Sequence, residues 1–516
     1  MKELEEWFKI KKYPHIGNPI RIKDYNWVKY YVNNSEKIRT HSFLPLIHKT
    51  IVKRKFRPDK EKNLKNPSGK RQRKKYNPKI RDTFFASHLD SMIFSKYNNL
   101  LTAKYEEYIQ NKPFNESIVA YRKIPIIKGK KGNKCNIDFA KSAFNFIKSN
   151  NDKKLTVIVA DISSFFDNLN HKILKKKWAE VLQMNTLPSD HYNIFKTITK
   201  IKYIESQQLF ESYNKTMIVE QGVKNSSVRK EYIRKRIKNT KYFKEKNAIS
   251  YCDKNDFLKN KLNLIISKNN AKGIPQGSPI SATLANIYML DFDNVIFNKI
   301  ENIGGFYQRY CDDLIIVVEQ QFEDDIIKTL SDTIKNVDLP IAPEKTNLYH
   351  FENQNFAFKG FAIDVLTKKF LSNKPLEYLG FSFDGERVLI KSSGFSKFHR
   401  TMKGAFNRAT YCALYAKNPD NRLFKKRLYK KFTFRGAKRR LLYKQSKENP
   451  KIYERTKKYD WGNYLSYVYK ANDSMKIING NDVIKRQARK LWHRFHKLIY
   501  DSELIIKNET PGGNKM

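Results

Sequence analysis

The chain has 516 residues, of which 40% are hydrophobic and 13% aromatic, a composition that supports a packed core and excludes global disorder. Its 102 Lys and Arg residues against 51 Asp and Glu give a net charge of +51. Basic surface on this scale binds phosphate backbones, so the composition favours a nucleic-acid partner. The length is that of about three domains of ordinary size.

Cysteine usage and the apolar runs exclude other classes of protein. The four cysteines, Cys135, Cys252, Cys311 and Cys412, include no C-x-x-C pair, which argues against a disulfide framework and against a structural zinc site. The charged first residues, MKELEEWFKIKK, are unlike a signal peptide, and no apolar run reaches the roughly 18 residues of a membrane span. We expect a cytoplasmic protein that does not contact a membrane.

The first predicted segment, residues 1–60, is a small N-terminal extension of mixed aromatic and charged residues. It overlaps a basic stretch, residues 52–81, that is punctuated by Pro, Ser and Gly. Such a stretch is most often a solvated loop, and a strand pair bent around a ligand is the less common interpretation. Residues 86–109 then repeat apolar side chains every four positions, which predicts an amphipathic helix.

The middle of the chain alternates apolar strands with polar insertions. Residues 155–160 are apolar and largely β-branched, and they predict a buried strand that ends at Asp161. Residues 205–270 are polar and Lys-rich and predict surface helices inserted into the domain. A Gly/Pro loop then precedes a long helix, and FYQRYCDDLIIVV (306–318) predicts a hairpin with two acids at its turn.

The last region, residues 391–516, is strongly basic with interleaved aromatic residues, and it predicts a helical domain that grips nucleic acid. In DVIKRQARKLWHRFHKLIY the apolar residues recur at steps of three and four, so one face packs and the other is basic. The residues that we expect to contact nucleic acid are Lys425, Lys426, Arg427, Arg439, Arg440, Arg489 and Arg494.

The paired acids Asp312 and Asp313 have two interpretations. A solvated hairpin tip is the simpler one, because two charges cost little there. A metal site is the alternative, because Asp161 ends a second strand and Mg²⁺ takes oxygen ligands from a few carboxylates, while water and substrate phosphates complete its coordination. Two such ions would activate an attacking 3′-hydroxyl and stabilise a leaving pyrophosphate.

Five strings in order carry a resemblance to a known family. VADISSFFD, GIPQGSPISATLANIYM, YCDD and APEKT resemble the successive palm motifs of reverse transcriptases, and EYLGFSF (377–383) resembles the primer-grip hairpin that follows them. Within that family the chain is more similar to the bacterial defence-associated enzymes, the unknown-group and abortive-infection reverse transcriptases. PKIRDTFFASHLDSMIFSKY and SIVAYRK are similar to their patterns.

The resemblance implies a set of metal ligands. Asp161 and Asp312 would ligate two Mg²⁺ ions, with Mn²⁺ as an alternative metal. Asp313 would support them, and the carbonyl of Ile162 would be a further ligand.

The resemblance also implies nucleotide-binding residues. Lys79 and Arg81 would contact the triphosphate, and Phe166 would exclude a 2′-hydroxyl. Lys345 would assist the leaving pyrophosphate. The Gly/Pro loop gives two further candidates from its own residues, because Gly277 allows close approach of the backbone and Gln276 could hydrogen-bond a nucleotide or the template. Each of these residues also has a plain structural explanation, as core, loop or surface charge.

We therefore expect an α+β right-hand polymerase, with fingers and an antiparallel palm sheet over residues 61–390 and a basic helical thumb over 391–516. The expected reaction adds dNTPs to a 3′ end on an RNA template and yields DNA. The resemblance implies anti-phage defence with a non-coding RNA, and some relatives form homo-oligomers. Three alternatives stay open: a template-independent or protein-primed nucleotidyltransferase, an RNA-dependent RNA polymerase, and a degenerate polymerase that only binds RNA.

Overall fold

The computed structural model describes residues 4–509, except 59–72, 128, 131, 223–229, 342–345, 355–356, 366, 373, 417–418, 420, 447–448, 450–451 and 461. The helices are α1 (Tyr25–Val32), α2 (Ser35–Arg39), α3 (His88–Gln110), α4 (Asn136–Ser149), α5 (Phe165–Asn168), α6 (His171–Val181), α7 (Ser189–Thr199), α8 (Ser206–Ser212), α9 (Lys254–Asn260), α10 (Ser281–Tyr288), α11 (Leu290–Glu301), α12 (Glu323–Asn336), α13 (Ser392–Tyr415), α14 (Lys425–Phe432), α15 (Tyr464–Asn479) and α16 (Val483–Glu509).

The strands are β1 (Leu46–Pro58), β2 (Arg73–Phe85), β3 (Leu155–Asp161), β4 (Ile201–Glu205), β5 (Thr216–Gly222), β6 (Lys230–Arg236), β7 (Ala248–Ser250), β8 (Ile266–Lys268), β9 (Phe306–Tyr310), β10 (Asp313–Glu319), β11 (Asn347–Gln354), β12 (Ala357–Ile363), β13 (Phe370–Ser372), β14 (Leu376–Tyr378), β15 (Phe381–Phe383), β16 (Val388–Ile390), β17 (Arg440–Gln445) and β18 (Tyr453–Asp460). This mixture of helices with antiparallel sheets confirms the predicted α+β class.

A six-stranded sheet forms the centre of the fold, in the order β13-β12-β11-β3-β10-β9. Its strands pair in antiparallel fashion throughout. β3 and β10 lie side by side inside this sheet because both are apolar, mostly β-branched runs whose residues are nearly all buried. The strand predicted over residues 155–160 is confirmed, as is the helix predicted over 86–109.

The two faces of the central sheet pack against different cores. One face, with Ile158 and Ile316, joins the core of α3, α6 and α10. The other face, with Val157 and Ile315, joins α4, β14, β15, α15 and the beginning of α16 in a second core. Because strand side chains alternate between faces, the acids Asp161 and Asp313 lie on this second face.

A buried ion pair holds the β9–β10 hairpin against α11. Arg309 and Asp293 are fully buried, and 2.6 Å separates Nη2 from Oδ2. Tyr307 donates its hydroxyl to the same carboxylate at 2.7 Å. Arg309 also donates to the carbonyl of Cys311 at 3.0 Å, so the ion pair reaches the turn that precedes β10.

The insertion over residues 205–270 is organised around a three-stranded sheet, in the order β6-β5-β7. Of the two or more helices predicted here, the structure has α8 and α9, of seven residues each, and the sheet between them was not predicted. Met217 and Val219 alternate into a small core with Phe210 and Phe257. The apolar run of β5, Met217–Val219, is only three residues long, and the surrounding polar and basic residues conceal it in the sequence.

The basic stretch over residues 52–81 forms strands where the structure describes it. β1 and β2 pair from Ile47 opposite Phe85 to Pro58 opposite Arg73, so the prediction of a solvated loop is wrong for this part. β1 also pairs with β4 in parallel, which anchors the two long strands to the body of the protein. The backbone hydrogen bonds between β1 and β2 form without a buried apolar face, since Val52 and Ile80 are exposed.

The region after residue 390 is mainly helical, as predicted, and the β17–β18 hairpin interrupts it. On α16 the buried residues Ile484, Ala488, Leu491 and Phe495 follow the predicted spacing.

No helix in the described ranges combines the length and the apolar composition needed to cross a membrane.

Replacing Asp293 by Asn should lower the free energy of unfolding by about 3–5 kcal/mol, because it leaves the buried Arg309 guanidinium without a counter-charge. Urea unfolding followed by circular dichroism measures the change. The control is Glu107→Gln, which removes the exposed partner of Lys104 and should change stability by less than about 1 kcal/mol. Equal effects of the two substitutions would contradict the role given to the buried pair.

Candidate active site

Strand register brings two of the predicted carboxylates opposite each other. Asp161, the last residue of β3, pairs with Asp313, the first residue of β10. Directly opposed residues of an antiparallel pair present their side chains to the same face, with Cβ atoms about 4.5–5.5 Å apart. Asp313 is exposed and Asp161 is half-buried, so both lie at an open end of the central sheet.

Asp312 lies in the two-residue turn between β9 and β10. The other turn residue, Cys311, has a φ of +62°, and a positive φ at this position matches the twist of the two strands. The carbonyl of Asp312 accepts a hydrogen bond from the N–H of Ile162 at 3.0 Å. The turn is therefore fastened to the residue that follows Asp161, and the backbone positions of all three acids adjoin.

The charges of Asp312 and Asp313 affect the pKa values of different neighbouring residues. Burial raises the pKa of the Cys311 thiol to about 12, and the adjacent charge of Asp312 contributes to the rise. Burial also raises the pKa of Tyr378 well above its usual range, and there the contributing charge is Asp313. Asp313 also lines one cavity with Tyr378 and Leu379, so it lies beside the β14–β15 hairpin.

A cavity of about 450 Å³ lies in front of Asp313. Its wall includes Tyr310 and the turn residues Leu379 and Gly380 of the predicted primer-grip hairpin. Asn136 at the beginning of α4 donates its amide to the carbonyl of Leu379 at 3.0 Å, which positions that turn. The structure therefore brings EYLGFSF onto the face of the sheet that carries the acids.

The loop with Gln276 and Gly277 packs beside the end of β3. The carbonyl of Gln276 accepts a hydrogen bond from the N–H of Phe84 at 2.9 Å, and its side-chain amide donates to Asp167 at 3.4 Å. Gly277 has a φ of +105°, and a Cβ there would lie 3.1 Å from the carbonyl oxygen of Phe84. The structure thus groups Gln276, Gly277 and the segment of Phe166.

Phe166 is half-buried on the short helix α5. Its ring lies 5.6 Å from that of Phe165, centre to centre, and packs against the first core. The next residue, Asp167, is a carboxyl whose pKa burial raises, although Lys268 nearby opposes the change. The ring of Phe166 is therefore held against the core, five residues after Asp161 along the chain.

The predicted triphosphate contacts are only partly described. Arg81 lies in β2 opposite Ile51, and its side chain is exposed. Lys79 lies on the same strand, two positions before Arg81, and its backbone pairs with that of Lys53 on β1. The side chain of Lys79 lies outside the described residues. Lys345 also lies outside them.

The predicted nucleic-acid contacts lie apart from the acids, on elements after residue 390. All are exposed: Lys425, Lys426 and Arg427 on α14, Arg439 and Arg440 at the beginning of β17, and Arg489 and Arg494 on α16. Lys425 forms an ion pair with Glu503, and Arg439 stacks 4.5 Å over the ring of Tyr459. Their contact with nucleic acid stays a prediction.

The acidic side chains of this site can be compared with the ligands that Mg²⁺ and Zn²⁺ usually take in proteins. Across the part of the chain that the structure describes, no three or more His, Cys, Asp or Glu side chains are gathered as a metal site. Mg²⁺ is typically bound by one or two carboxylates, with water and substrate phosphates completing its octahedron. Asp161 and the adjoining Asp312 fit that pattern, and a Zn²⁺-type cage does not.

Two supporting residues were missed from the sequence. Asp167 directly follows Phe166 in VADISSFFD, so its place in that string was a usable signal. Asn136 lies 243 residues from Leu379 along the chain, and nothing local in the sequence indicates their contact.

Gly273 offers a test of the loop packing. Its φ is +95°, and a Cβ there would lie 2.8 Å from the carbonyl oxygen of Asp167. Gly273→Ala should therefore lower the free energy of unfolding by about 1–3 kcal/mol more than Gly304→Ala, a control with a φ of +65° and no neighbour within 4 Å. Chemical denaturation of both variants measures the difference. No difference would show that the loop does not pack against Asp167.

One family model matches the chain: reverse transcriptase (RNA-dependent DNA polymerase), over residues 234–383. The matched region includes the Gln276 loop, the Cys311–Asp312 turn and the β14–β15 hairpin, while Asp161 lies before it. No curated protein matches the chain.

Solved telomerase structures show a loose similarity. Telomerase from Candida albicans in complex with a TWJ fragment of telomeric RNA has 13% identity and a TM-score of 0.37, over 94% of this chain and 69% of that one. Apo telomerase from Candida tropicalis, truncated from its C-terminal domain, has 14% identity and a TM-score of 0.30, over 67% of this chain. The present chain spans 58% of that truncated protein. The family match shows that residues 234–383 are similar to the reverse transcriptase (RNA-dependent DNA polymerase) family, as the motifs in this part of the sequence predict.

Proposed function

We propose that the chain extends a 3′ end with dNTPs on an RNA template, using two bound metal ions. The observation that carries this proposal is the register of β3 and β10, which sets Asp161 opposite Asp313 with Asp312 in the adjoining turn. The reverse transcriptase match over residues 234–383 supports the same reaction class.

The metal ligands in this proposal are Asp161 and Asp312, with Asp313 in support and the carbonyl of Ile162 as a further oxygen donor. When bound, two Mg²⁺ or Mn²⁺ ions lower the pKa of the attacking 3′-hydroxyl and stabilise the leaving pyrophosphate. The chain contributes a rigid frame for them. The hydrogen bond from Ile162 to the carbonyl of Asp312 fixes the two ligand-bearing segments relative to each other.

The nucleotide would lie beside Phe166 and the Gln276 loop. The Phe166 ring packs against the core, and in this position it would exclude a 2′-hydroxyl and favour a deoxyribose. Asp167 accepts from the amide of Gln276, which leaves the amide oxygen of Gln276 to face the substrate. Arg81 would bind the triphosphate, since a guanidinium pairs with phosphate through two hydrogen bonds. Lys79 and Lys345 would be further phosphate contacts, on the basis of the resemblance to reverse transcriptases alone.

The nucleic-acid partner would lie across the second face of the sheet. The cavity in front of Asp313 receives the reacting 3′ end, and the exposed basic side chains of α14, β17 and α16 hold the phosphate backbones. A net charge of +51 supports a long nucleic-acid partner. In this arrangement residues 61–390 act as fingers and palm, and residues 391–516 act as a thumb.

The setting that we propose is anti-phage defence in a bacterium, with a non-coding RNA as template or scaffold and DNA as the product. It rests on the similarity of PKIRDTFFASHLDSMIFSKY and SIVAYRK to the patterns of defence-associated enzymes. Assembly into a homo-oligomer is proposed on the same ground.

The polymerase proposal predicts that the purified chain, with Mg²⁺ and an RNA-templated DNA primer, extends the primer with dNTPs. Asp312→Asn should lower extension by at least about a hundredfold, because the amide replaces a charged metal ligand. The control is Asp332→Asn on the exposed surface of α12, which should keep full activity. Gel analysis of labelled primer measures both.

Three other results would overturn the proposal in different ways. Extension with a single dNTP and no template would establish a tailing nucleotidyltransferase. Extension with NTPs alone would establish an RNA polymerase. Binding of RNA with no incorporation under any of these conditions would establish an RNA-binding protein.

Phe166→Ala should raise the incorporation of ribonucleotides relative to deoxynucleotides by about tenfold or more, because it removes the ring that excludes the 2′-hydroxyl. Single-nucleotide incorporation with matched dNTP and rNTP measures the ratio. Phe166→Tyr keeps the ring and should keep the preference for deoxynucleotides. An unchanged ratio in Phe166→Ala would show that Phe166 is only a core residue.

A further inference from the structure

Tyr121 is an aromatic residue in a strained conformation beside the turn that holds Asp312. Its φ is +62°, in the left-handed region that bulky side chains rarely adopt. Its side chain is 52% exposed, while the neighbouring Ala120 is fully buried. Strained backbone of this kind persists only where the surroundings impose it, and it is concentrated at functional sites.

The backbone on both sides of Tyr121 is firmly held. Asn286 on α10 donates to the carbonyl of Ala120 at 2.9 Å. Arg122 is buried and donates to both oxygens of Glu106, at 2.9 and 2.7 Å. These contacts come from two different helices, so the conformation of Tyr121 is set by α3 and α10 together.

The hydroxyl end of Tyr121 reaches the candidate active site. It donates to Sγ of Cys311 at 3.4 Å. Burial of the hydroxyl raises the pKa of Tyr121, and the charge of Asp312 is among the groups that add to the rise. The turn therefore holds the hydroxyl end of Tyr121, while the residue as a whole is about half exposed.

We propose that Tyr121 is a positioning residue whose ring stacks on a base of the primer–template hybrid beside the catalytic turn. This inference rests on the proposed polymerase function. Aromatic rings bind nucleic acid by stacking on bases, and a ring that is already immobile loses little entropy on doing so. Tyr121 combines its exposure with a hydroxyl held at the turn and a neighbouring backbone held by α10.

The test is the affinity for a fluorescently labelled RNA–DNA hybrid, measured by anisotropy, together with steady-state extension kinetics. Tyr121→Ala should raise Kd for the hybrid by about tenfold, with kcat at saturating hybrid and KM for dNTP within about twofold of the wild type. Tyr121→Phe keeps the ring and should bind as the wild type does. The control is Tyr192→Ala, which removes a tyrosine on α7 that is 44% exposed, and it should leave Kd unchanged.

A second variant separates the loss of stacking from loss of the fold. Asn tolerates a positive φ, so Tyr121→Asn keeps the backbone while it removes the ring, and it should weaken binding as Tyr121→Ala does. An unchanged Kd in Tyr121→Asn would overturn the inference. So would an equal loss in Tyr121→Phe, or a change confined to KM for dNTP.

The outcome is separable from that of the polymerase proposal. Asp312→Asn should bind the hybrid with an affinity within about twofold of the wild type while it extends nothing. If the wild type binds the hybrid but extends no primer, the polymerase proposal fails and the binding data still decide the role of Tyr121. If the wild type does not bind the hybrid, both fail.

Discussion

The register between β3 and β10 is the constraint on which the candidate site depends. A slip of one residue would send Asp161 and Asp313 to opposite faces of the sheet. The apolar pattern cannot set this register alone, because both strands are apolar on both faces. We attribute the register to two contacts near the turn. Ile162 donates a hydrogen bond to the carbonyl of Asp312, and the buried Arg309–Asp293 ion pair holds the β9–β10 hairpin against α11.

The face of the sheet that carries the acids is also the face that joins the C-terminal helices to the rest of the fold. Val157 and Ile315 share one core with Phe144 of α4, Phe381 of β15 and Val468 of α15. The strands that carry the acids and the helix α15 therefore pack into one continuous core.

The elements that could be predicted from the sequence are those with strong local patterns. The apolar strand ending at Asp161 and the amphipathic face of α16 are examples. The sheet of the insertion was missed, and a strand pair over residues 52–81 was only the less common interpretation. These strands are stabilised by backbone pairing and by a few apolar residues such as Met217. Within the site the residue types were predictable, but partners such as Asn136 depend on contacts distant in sequence.

The central claim is that Asp161 and Asp312 hold metal at one site. Titration of Mn²⁺ by electron paramagnetic resonance, with a hybrid that ends in a dideoxynucleotide and a matching dNTP, tests it most directly. We predict two bound ions per chain in the wild type and a loss of at least one of them in Asp161→Asn. The same number of ions bound with the same affinity in Asp161→Asn would contradict the account.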